Sequence, residues 1–211
     1  MERSWLPSSV PLGSPNPKYV DFTSIIKNSK IDSDFKKFNF NHPLYILYSS
    51  GTTGIPKCIT HGAGNALIEH NKEFSLHCNI SNNYKIFYYT TTGWMMWNWL
   101  VGGLSSGASL YLYDGSPTYP SKDSLIKFCS EKKINLFGVS AKYIDFLKKE
   151  NLNFNNLNLS ELKIIASTGS PLVKESFKYV YKNIKQNVHL ASISGGTDVV
   201  GCLVLGNVFS D

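Results

Sequence analysis

A loop rich in glycine and hydroxyl side chains follows the first apolar run of the chain, Leu44–Tyr48. It reads Ser49-Ser50-Gly51-Thr52-Thr53-Gly54-Ile55-Pro56-Lys57. Glycines let backbone N–H groups turn toward one point, and the hydroxyls and the lysine add donors and positive charge, so the loop suits the phosphates of a nucleotide. It is not a Walker A motif, because Pro56 precedes Lys57 and Cys58 follows it. A flexible loop with a solvated lysine is the alternative interpretation.

Two later loops have the same composition, and each follows another apolar run. They are Ser167-Thr168-Gly169-Ser170-Pro171-Leu172 and Ser194-Gly195-Gly196-Thr197-Asp198. Taken alone, the first could simply start a helix and the second could be an ordinary turn at the end of a strand. Three such loops in one chain are the main functional signal of the sequence.

The elements that must position these loops alternate along the chain. The predicted strands are Leu44–Tyr48, Ile86–Tyr89, Ser109–Tyr113, Leu136–Val139, Leu162–Ala166, His189–Ile193 and Val199–Leu205. The predicted helices are Gly64–His77, Trp94–Leu104, Lys122–Lys132, Ala141–Glu150 and Val173–Lys182. Apolar strands that alternate with helices of about ten residues predict an α/β fold with a mostly parallel sheet. In such sheets ligands bind beyond the carboxyl ends of the strands, where the loops gather.

The composition excludes several other classes of protein. The formal net charge is +6, but Arg3 is the sole arginine among 21 basic residues, and readers of nucleic acids usually depend on arginine forks. We therefore expect no nucleic-acid partner. The stretch from Ile86 to Tyr113 carries no charge, yet glycine, serine and asparagine interrupt it, so we expect a strand, a helix and a strand instead of a membrane span. With no secretory signal visible at the N-terminus, we expect a cytosolic protein.

The segment Tyr48–Lys57, with His61 four residues on, resembles the phosphate-loop signature of the adenylate-forming superfamily. That superfamily includes acyl-CoA synthetases, luciferases and the adenylation domains of peptide synthetases. The resemblance implies that Ser49–Lys57 holds the β- and γ-phosphates of ATP and that Gly169–Pro171 lines the adenine. It further implies that Lys57, Thr197 and Asp198 act in catalysis, with Thr197 on the α-phosphate and Asp198 on Mg²⁺. His61 either steadies the loop, faces a phosphate or makes a hydrogen bond at a helix start.

Two departures from the superfamily pattern concern the last loop. Ser194 stands where the superfamily has an aromatic residue that stacks on adenine, and Asp198 stands in place of a glutamate. An aspartate is one methylene shorter, but it still offers the oxygen ligands that Mg²⁺ prefers.

The acyl group is suggested by an unusual segment, Thr90-Thr91-Thr92-Gly93-Trp94-Met95-Met96-Trp97-Asn98-Trp99. Its composition suits either a tight pocket wall or a buried core helix. The segment and the Gly-Gly-Thr-Asp ending resemble the acetoacetyl-CoA synthetases. This implies the small-molecule substrates acetoacetate, ATP and CoA, with Trp94 near the acyl end of the pocket. An acetyl- or propionyl-CoA synthetase and a non-catalytic nucleotide-binding remnant are the alternatives.

The resemblance also implies a division into segments. We expect residues 1–43 to be an irregular connector and residues 44–211 to be part of an AMP-binding (adenylation) domain, the large N-terminal domain of such enzymes. The family's small C-terminal domain, which supplies a further lysine for adenylation, is expected to be absent. On this basis we expect the 211-residue piece alone to have little or no activity.

Overall fold

The computed structural model describes residues 35–49 and 54–207. The chain divides into two units, Met1–Lys37 and Phe38–Asp211. Of the first unit, residues 35–37 are described; they are exposed and lie outside any helix or strand. Residues 1–34 of the predicted connector lie outside the described residues. The first described strand begins at Pro43, one residue before the predicted start of the regular pattern.

Five parallel strands form the central sheet of the second unit. They are β3 (Lys85–Tyr88), β4 (Ser109–Tyr111), β5 (Leu136–Ser140), β6 (Ile164–Thr168) and β7 (His189–Ser192), in the spatial order β4-β3-β5-β6-β7. Their apolar runs are almost continuous because helices cover both faces of the sheet. The predicted α/β fold with a parallel sheet is confirmed.

Within residues 35–49 and 54–207, five helices lie between and around these strands. They are α1 (Ala63–Lys72), extended by a π-helical turn (Glu73–His77); α2 (Met95–Gly102), extended by a 3₁₀ turn (Gly103–Ser106); α3 (Ser124–Lys132); α4 (Ala141–Lys149); and α5 (Lys174–Asn183). The run Ile86–Tyr113 is therefore strand, helix and strand, as predicted. Within the described ranges, no helix is long and apolar enough to cross a membrane.

Successive side chains of each strand enter two different cores, as the pleat of a β-strand requires. Phe87 and Phe137 pack in the core that holds the buried faces of α3, α4 and α5. Their neighbours Ile86 and Leu136 pack in the second core, with Trp99 and the other buried residues of α2 and the π-helical turn. The result is a three-layer arrangement in which the sheet holds the loops at its carboxyl edge.

Two antiparallel hairpins complete the described secondary structure. One pairs β1 (Pro43–Ser49) with β2 (Lys57–Gly62), and the other pairs β8 (Ser194–Gly196) with β9 (Gly201–Val204). The first apolar run is thus outside the parallel sheet, and the strand β2 was not predicted. The predicted loop Ser194–Asp198 was wrong in part, because its first three residues are a strand that pairs with β9.

Candidate functional site

The strand order creates a crevice between β3 and β5. The connection that leaves β3 leads to β4 on one side, whereas the connection that leaves β5 leads to β6 on the other side. Ligand sites form at such switch points in parallel sheets. A cavity of about 330 Å³, called here the switch-point cavity, lies at this place. Tyr88 and Tyr89 line it from the end of β3, and Ser140 and Lys142 line it from the end of β5.

A glycine in β5 allows Tyr88 to reach this position. A Cβ atom on Gly138 would lie 2.0 Å from Cδ2 of Tyr88, so the tyrosine ring crosses the backbone of β5 where no side chain stands. The two residues are direct partners in the register of β3 and β5. Any larger residue at position 138 would therefore displace one wall of the switch-point cavity.

The remaining walls of the switch-point cavity bring together several predicted site residues. Gly169 and Ser170 approach from the loop after β6, and Gly195 approaches from β8. Trp94 stands with Met95 and Met96 at the start of α2, and its side chain is 61% exposed. The composition of the segment Thr90–Trp99 suits either a pocket wall or a core helix. The segment is both, since Met96 and Trp99 are buried while Trp94 lines the cavity.

A second cavity of about 460 Å³, called the loop cavity, adjoins the first. Gly169, Ser170 and Pro171 line one side of it, and Ser194 and Gly195 line the other. The two loops are fixed to each other through backbone bonds such as the one that Ile193 N donates to the carbonyl of Ser167, at 2.7 Å. This is where the resemblance places the adenine ring.

Gly195 lines both cavities and lies in close contact with the backbone of β9. A Cβ atom there would lie 2.2 Å from the carbonyl oxygen of Gly201 and 2.6 Å from Cα of Cys202. A side chain at this position would force β8 away from β9. By contrast, a Cβ atom on Gly196 would have nothing within 4 Å.

Thr197 and Asp198 follow β8 in the turn toward β9. Nε2 of His61 donates a hydrogen bond of 2.7 Å to the carbonyl of Thr197. Asp198 is exposed, and among the described residues its carboxylate has no hydrogen bond or ion pair. With His61 and Glu69 it lines a third cavity of about 550 Å³, called the hairpin cavity. The contact of His61 with the turn of Thr197 is not among the interpretations that the sequence offered.

The first predicted loop is described only at its ends. Ser49 and Lys57 are paired residues of β1 and β2, Gly54 is exposed, and Lys57 stands exposed at the start of β2. Ser50, Gly51, Thr52 and Thr53 lie outside the described residues. Because β2 also carries His61, the bond to Thr197 ties the hairpin of Lys57 to the turn of Asp198.

Two more histidines bind the backbone of the segment 197–206, which follows β8. The sequence spacing indicates no partner for either of them. Nε2 of His70 donates to the carbonyl of Val200 at 2.7 Å, and Nδ1 of His77 donates to the carbonyl of Gly206 at 2.9 Å. Burial lowers the pKa of His70, although the bond to Val200 acts in the opposite direction. A neutral His70 still has the N–H group that this bond needs.

A buried carboxylate joins these elements at their centre. Glu73 is fully buried, and it accepts hydrogen bonds of 2.6 Å from Nε1 of Trp99 and from the backbone N–H of Cys202. Burial, together with a hydrogen bond to Glu69, raises the pKa of Glu73. Burial also acts to raise the pKa of Glu69, but hydrogen bonds from Lys72 and Glu73 outweigh it and hold that pKa below its usual value. Nζ of Lys72 lies 2.8 Å from a carboxylate oxygen of Glu69 and 3.7 Å from one of Glu73, so one positive charge stands beside both carboxyl groups.

The residues present fit a magnesium ion bound chiefly through a nucleotide. Within residues 35–49 and 54–207, no three His, Cys, Asp or Glu side chains are grouped so as to hold a metal ion. Mg²⁺ commonly takes one or two carboxylates and completes its shell with phosphate oxygens and water. The free, exposed carboxylate of Asp198 meets that requirement.

Comparison with known proteins gives consistent results. Residues 13–208 match the sequence model of a family described as AMP-binding enzyme. Acetoacetyl-coenzyme A synthetase of Rhizobium meliloti (strain 1021) is 53% identical over 174 residues, which are 82% of this chain and 27% of the relative. Malonamoyl-CoA synthetase vrtB of Penicillium aethiopicum is 46% identical over 182 residues, 79% of this chain and 25% of the relative. The solved structure of acetoacetyl-CoA synthetase from Streptomyces lividans superposes with a TM-score of 0.80 at 38% identity, over 87% of this chain and 29% of the other.

Proposed function

This chain belongs to the family of AMP-binding enzymes, and on that premise we propose that it forms the nucleotide- and acid-binding part of an ATP-dependent ligase that joins acetoacetate to CoA. The chain spans 27% of the length of the Rhizobium relative and 25% of the Penicillium relative. The activity of the whole enzyme is therefore part of the proposal, and so is its location in the cytosol.

The proposed reaction has two steps. The carboxylate of acetoacetate attacks the α-phosphorus of ATP, giving acetoacetyl-AMP and releasing pyrophosphate. The thiol of CoA then loses its proton and attacks the acyl carbon, giving acetoacetyl-CoA and releasing AMP. The first step brings two anions together, so it requires positioned donors and cations.

The candidate residues divide this work by their place in the fold. Lys57 and the loop that begins at Ser49 bind the β- and γ-phosphates, and Thr197 contacts the α-phosphate. Mg²⁺ held by Asp198 and the phosphates would offset the charge that develops on the leaving pyrophosphate. His61 acts indirectly, because its bond to the carbonyl of Thr197 holds the turn in which Thr197 and Asp198 lie.

One observation carries the proposal: Gly169, Ser170 and Gly195 line both the loop cavity and the switch-point cavity. An acyl-adenylate has its nucleoside at one end and its acyl group at the other, and two adjoining cavities suit such a molecule. In this arrangement the adenine lies between Pro171 and Ser194, and the acyl group extends toward Trp94. The switch-point cavity, at about 330 Å³, suits a short acid.

The class of acid follows from what two relatives have in common. Their names refer to an acetoacetyl group and a malonamoyl group, and each of these groups has a carbonyl on C3. The proposed substrate class is therefore small acids with a carbonyl on C3. Such an acid has at most four heavy atoms besides its carboxyl group. Acetate and propionate, the acids of the alternative short-chain synthetases, lack this carbonyl.

Titration calorimetry of the 211-residue chain tests the proposal. We expect Mg·ATP to bind, the Lys57→Gln and Asp198→Asn variants to bind it more weakly, and acetoacetate to bind more tightly than acetate or propionate. Lys149→Gln, an exposed change on α4, is the matched control for loss of charge. A folded chain that bound Mg·ATP but no acid would favour the alternative of a non-catalytic nucleotide-binding remnant. A folded chain that bound no nucleotide would exclude both the ligase and the remnant.

A further inference from the structure

The switch-point cavity has an apolar wall with one cation in it. Its lining includes Tyr88, Trp94, Met95 and Met96, and none of the described residues that line it is acidic. Lys142, in the first turn of α4, is the single basic residue among those described. An alkyl chain has no acceptor with which the ammonium group of Lys142 could form a hydrogen bond.

Lys142 is also unpaired. Among the residues that the structure describes, it forms no hydrogen bond and no ion pair, whereas Lys148 on the same helix contacts Asp145 at 3.1 Å and Ser176 at 2.6 Å. The neighbouring Ser140 is already engaged, since its hydroxyl accepts a hydrogen bond from the backbone of Tyr143. The ammonium of Lys142 is therefore the strongest free donor on this wall.

Lys142 lies in a different cavity from the candidate residues of the phosphate and magnesium site. Asp198 and His61 line the hairpin cavity, and Lys142 lines only the switch-point cavity among the three cavities described here. It lies in the first turn of α4, directly after β5, and shares the lining of this cavity with Tyr88 and Gly169. An oxygen that meets Lys142 thus belongs to the acyl end of a ligand.

We propose that Lys142 is a specificity-determining residue that donates a hydrogen bond to the C3 carbonyl oxygen of the acid. This inference rests on the proposed function and adds the residue that selects the acid. A 3-oxo acid gives the ammonium a partner, while an alkyl acid of the same size gives none. Because Lys142 is exposed, its ammonium keeps water when no carbonyl is present, so the preference equals the gain of one hydrogen bond from a charged donor.

The test compares acetoacetate with butyrate, which replaces the C3 carbonyl by a methylene group. Binding of each acid to the 211-residue chain is followed by ligand-observed NMR in the presence of Mg²⁺ and a non-hydrolysable ATP analogue. We expect acetoacetate to bind roughly 10- to 100-fold more tightly than butyrate, as a hydrogen bond to a charged donor predicts. Malonamate, which keeps the C3 carbonyl, is expected to bind like acetoacetate.

Substitutions assign that preference to Lys142. In Lys142→Met, which keeps an unbranched stem and removes the ammonium, the binding of acetoacetate should weaken to the level of butyrate while the binding of butyrate is unchanged or improved. Lys142→Arg should keep most of the preference, and Lys149→Met, at the far end of the same helix, should keep all of it. All three variants are expected to fold, because Lys142 and Lys149 are exposed and their substitution leaves no buried polar group unpaired.

Three results would count against the inference, and they differ from one another. Equal binding of acetoacetate and butyrate by the unmodified chain overturns the role of Lys142 and leaves the proposed function standing. Weaker binding of the nucleotide by Lys142→Met, with the ratio between the acids unchanged, makes Lys142 a phosphate contact and also overturns it. Failure of the folded chain to bind either acid removes the proposed function itself.

Discussion

Replacing Glu73 by leucine tests how the C-terminal hairpin is held. The substitution removes the acceptor for two buried donors, Nε1 of Trp99 and the backbone N–H of Cys202, both now at 2.6 Å from the carboxylate. A buried donor left unpaired costs about 1–3 kcal/mol, so the free energy of unfolding should fall by about 2–6 kcal/mol. A domain of this size has about 5–15 kcal/mol in all, so the change is large. Glu73→Gln keeps one carbonyl acceptor and should lose about half as much.

Urea denaturation, followed by tryptophan fluorescence and by circular dichroism, measures these differences. The control is Glu131→Leu on α3, an exposed glutamate outside the network, for which the expected change is within about 0.5 kcal/mol. If Glu73→Leu matched the control, the two hydrogen bonds would contribute nothing to stability. The account of Glu73 as the centre that fixes β9 to α1 and α2 would then be wrong.

Three other predictions concern the same region. The raised pKa of Glu73 means that the folded chain keeps a proton that the unfolded chain releases near pH 4.5, so this group's contribution to stability falls as the pH rises above that value; in urea midpoints Glu73→Gln should therefore gain relative to the parent as the pH is raised from about 4.5. His61→Leu should speed amide exchange in the Thr197 turn by roughly 5-fold, the equivalent of one neutral hydrogen bond, with His61→Gln restoring protection; equal exchange in both variants would contradict the tie. Gly195→Ala should lower the free energy of unfolding by about 1–3 kcal/mol and weaken nucleotide binding, whereas Gly196→Ala, with open space around its Cβ, is the matched control in thermal unfolding.

The parallel sheet could be predicted because its signal is local. Runs such as Leu136–Val139 are continuously apolar and short, and polar segments bound them, which is enough to indicate a buried strand. The strand β2 carried no such signal, since Lys57–Gly62 mixes polar and apolar residues and depends on pairing with β1 for its hydrogen bonds. Its exposed pattern is typical of a hairpin outside the main sheet.

The site residues that the sequence missed depend on distant partners. Glu73 looks like any glutamate of an amphipathic helix, and the π-helical turn that begins there breaks the 3.6-residue period that would have placed it inside. Lys142 likewise looks like a solvated lysine until the crevice beside β3 is known. His61 contacts Thr197, which lies 136 residues away, and no local feature of the sequence indicates that partner.

The contacts of the C-terminal segment also bear on the order in which the chain folds. His61, His70 and Glu73 meet partners that lie 129–136 residues later in the sequence. At about 5–20 residues per second of synthesis, those partners leave the ribosome roughly 6–27 s after His61, His70 and Glu73. During that interval the Glu73 carboxylate lacks the hydrogen bond that Cys202 donates to it in the folded chain. Docking of β9 is thus a late event in folding, and it completes the binding turn only after the parallel sheet has been synthesised.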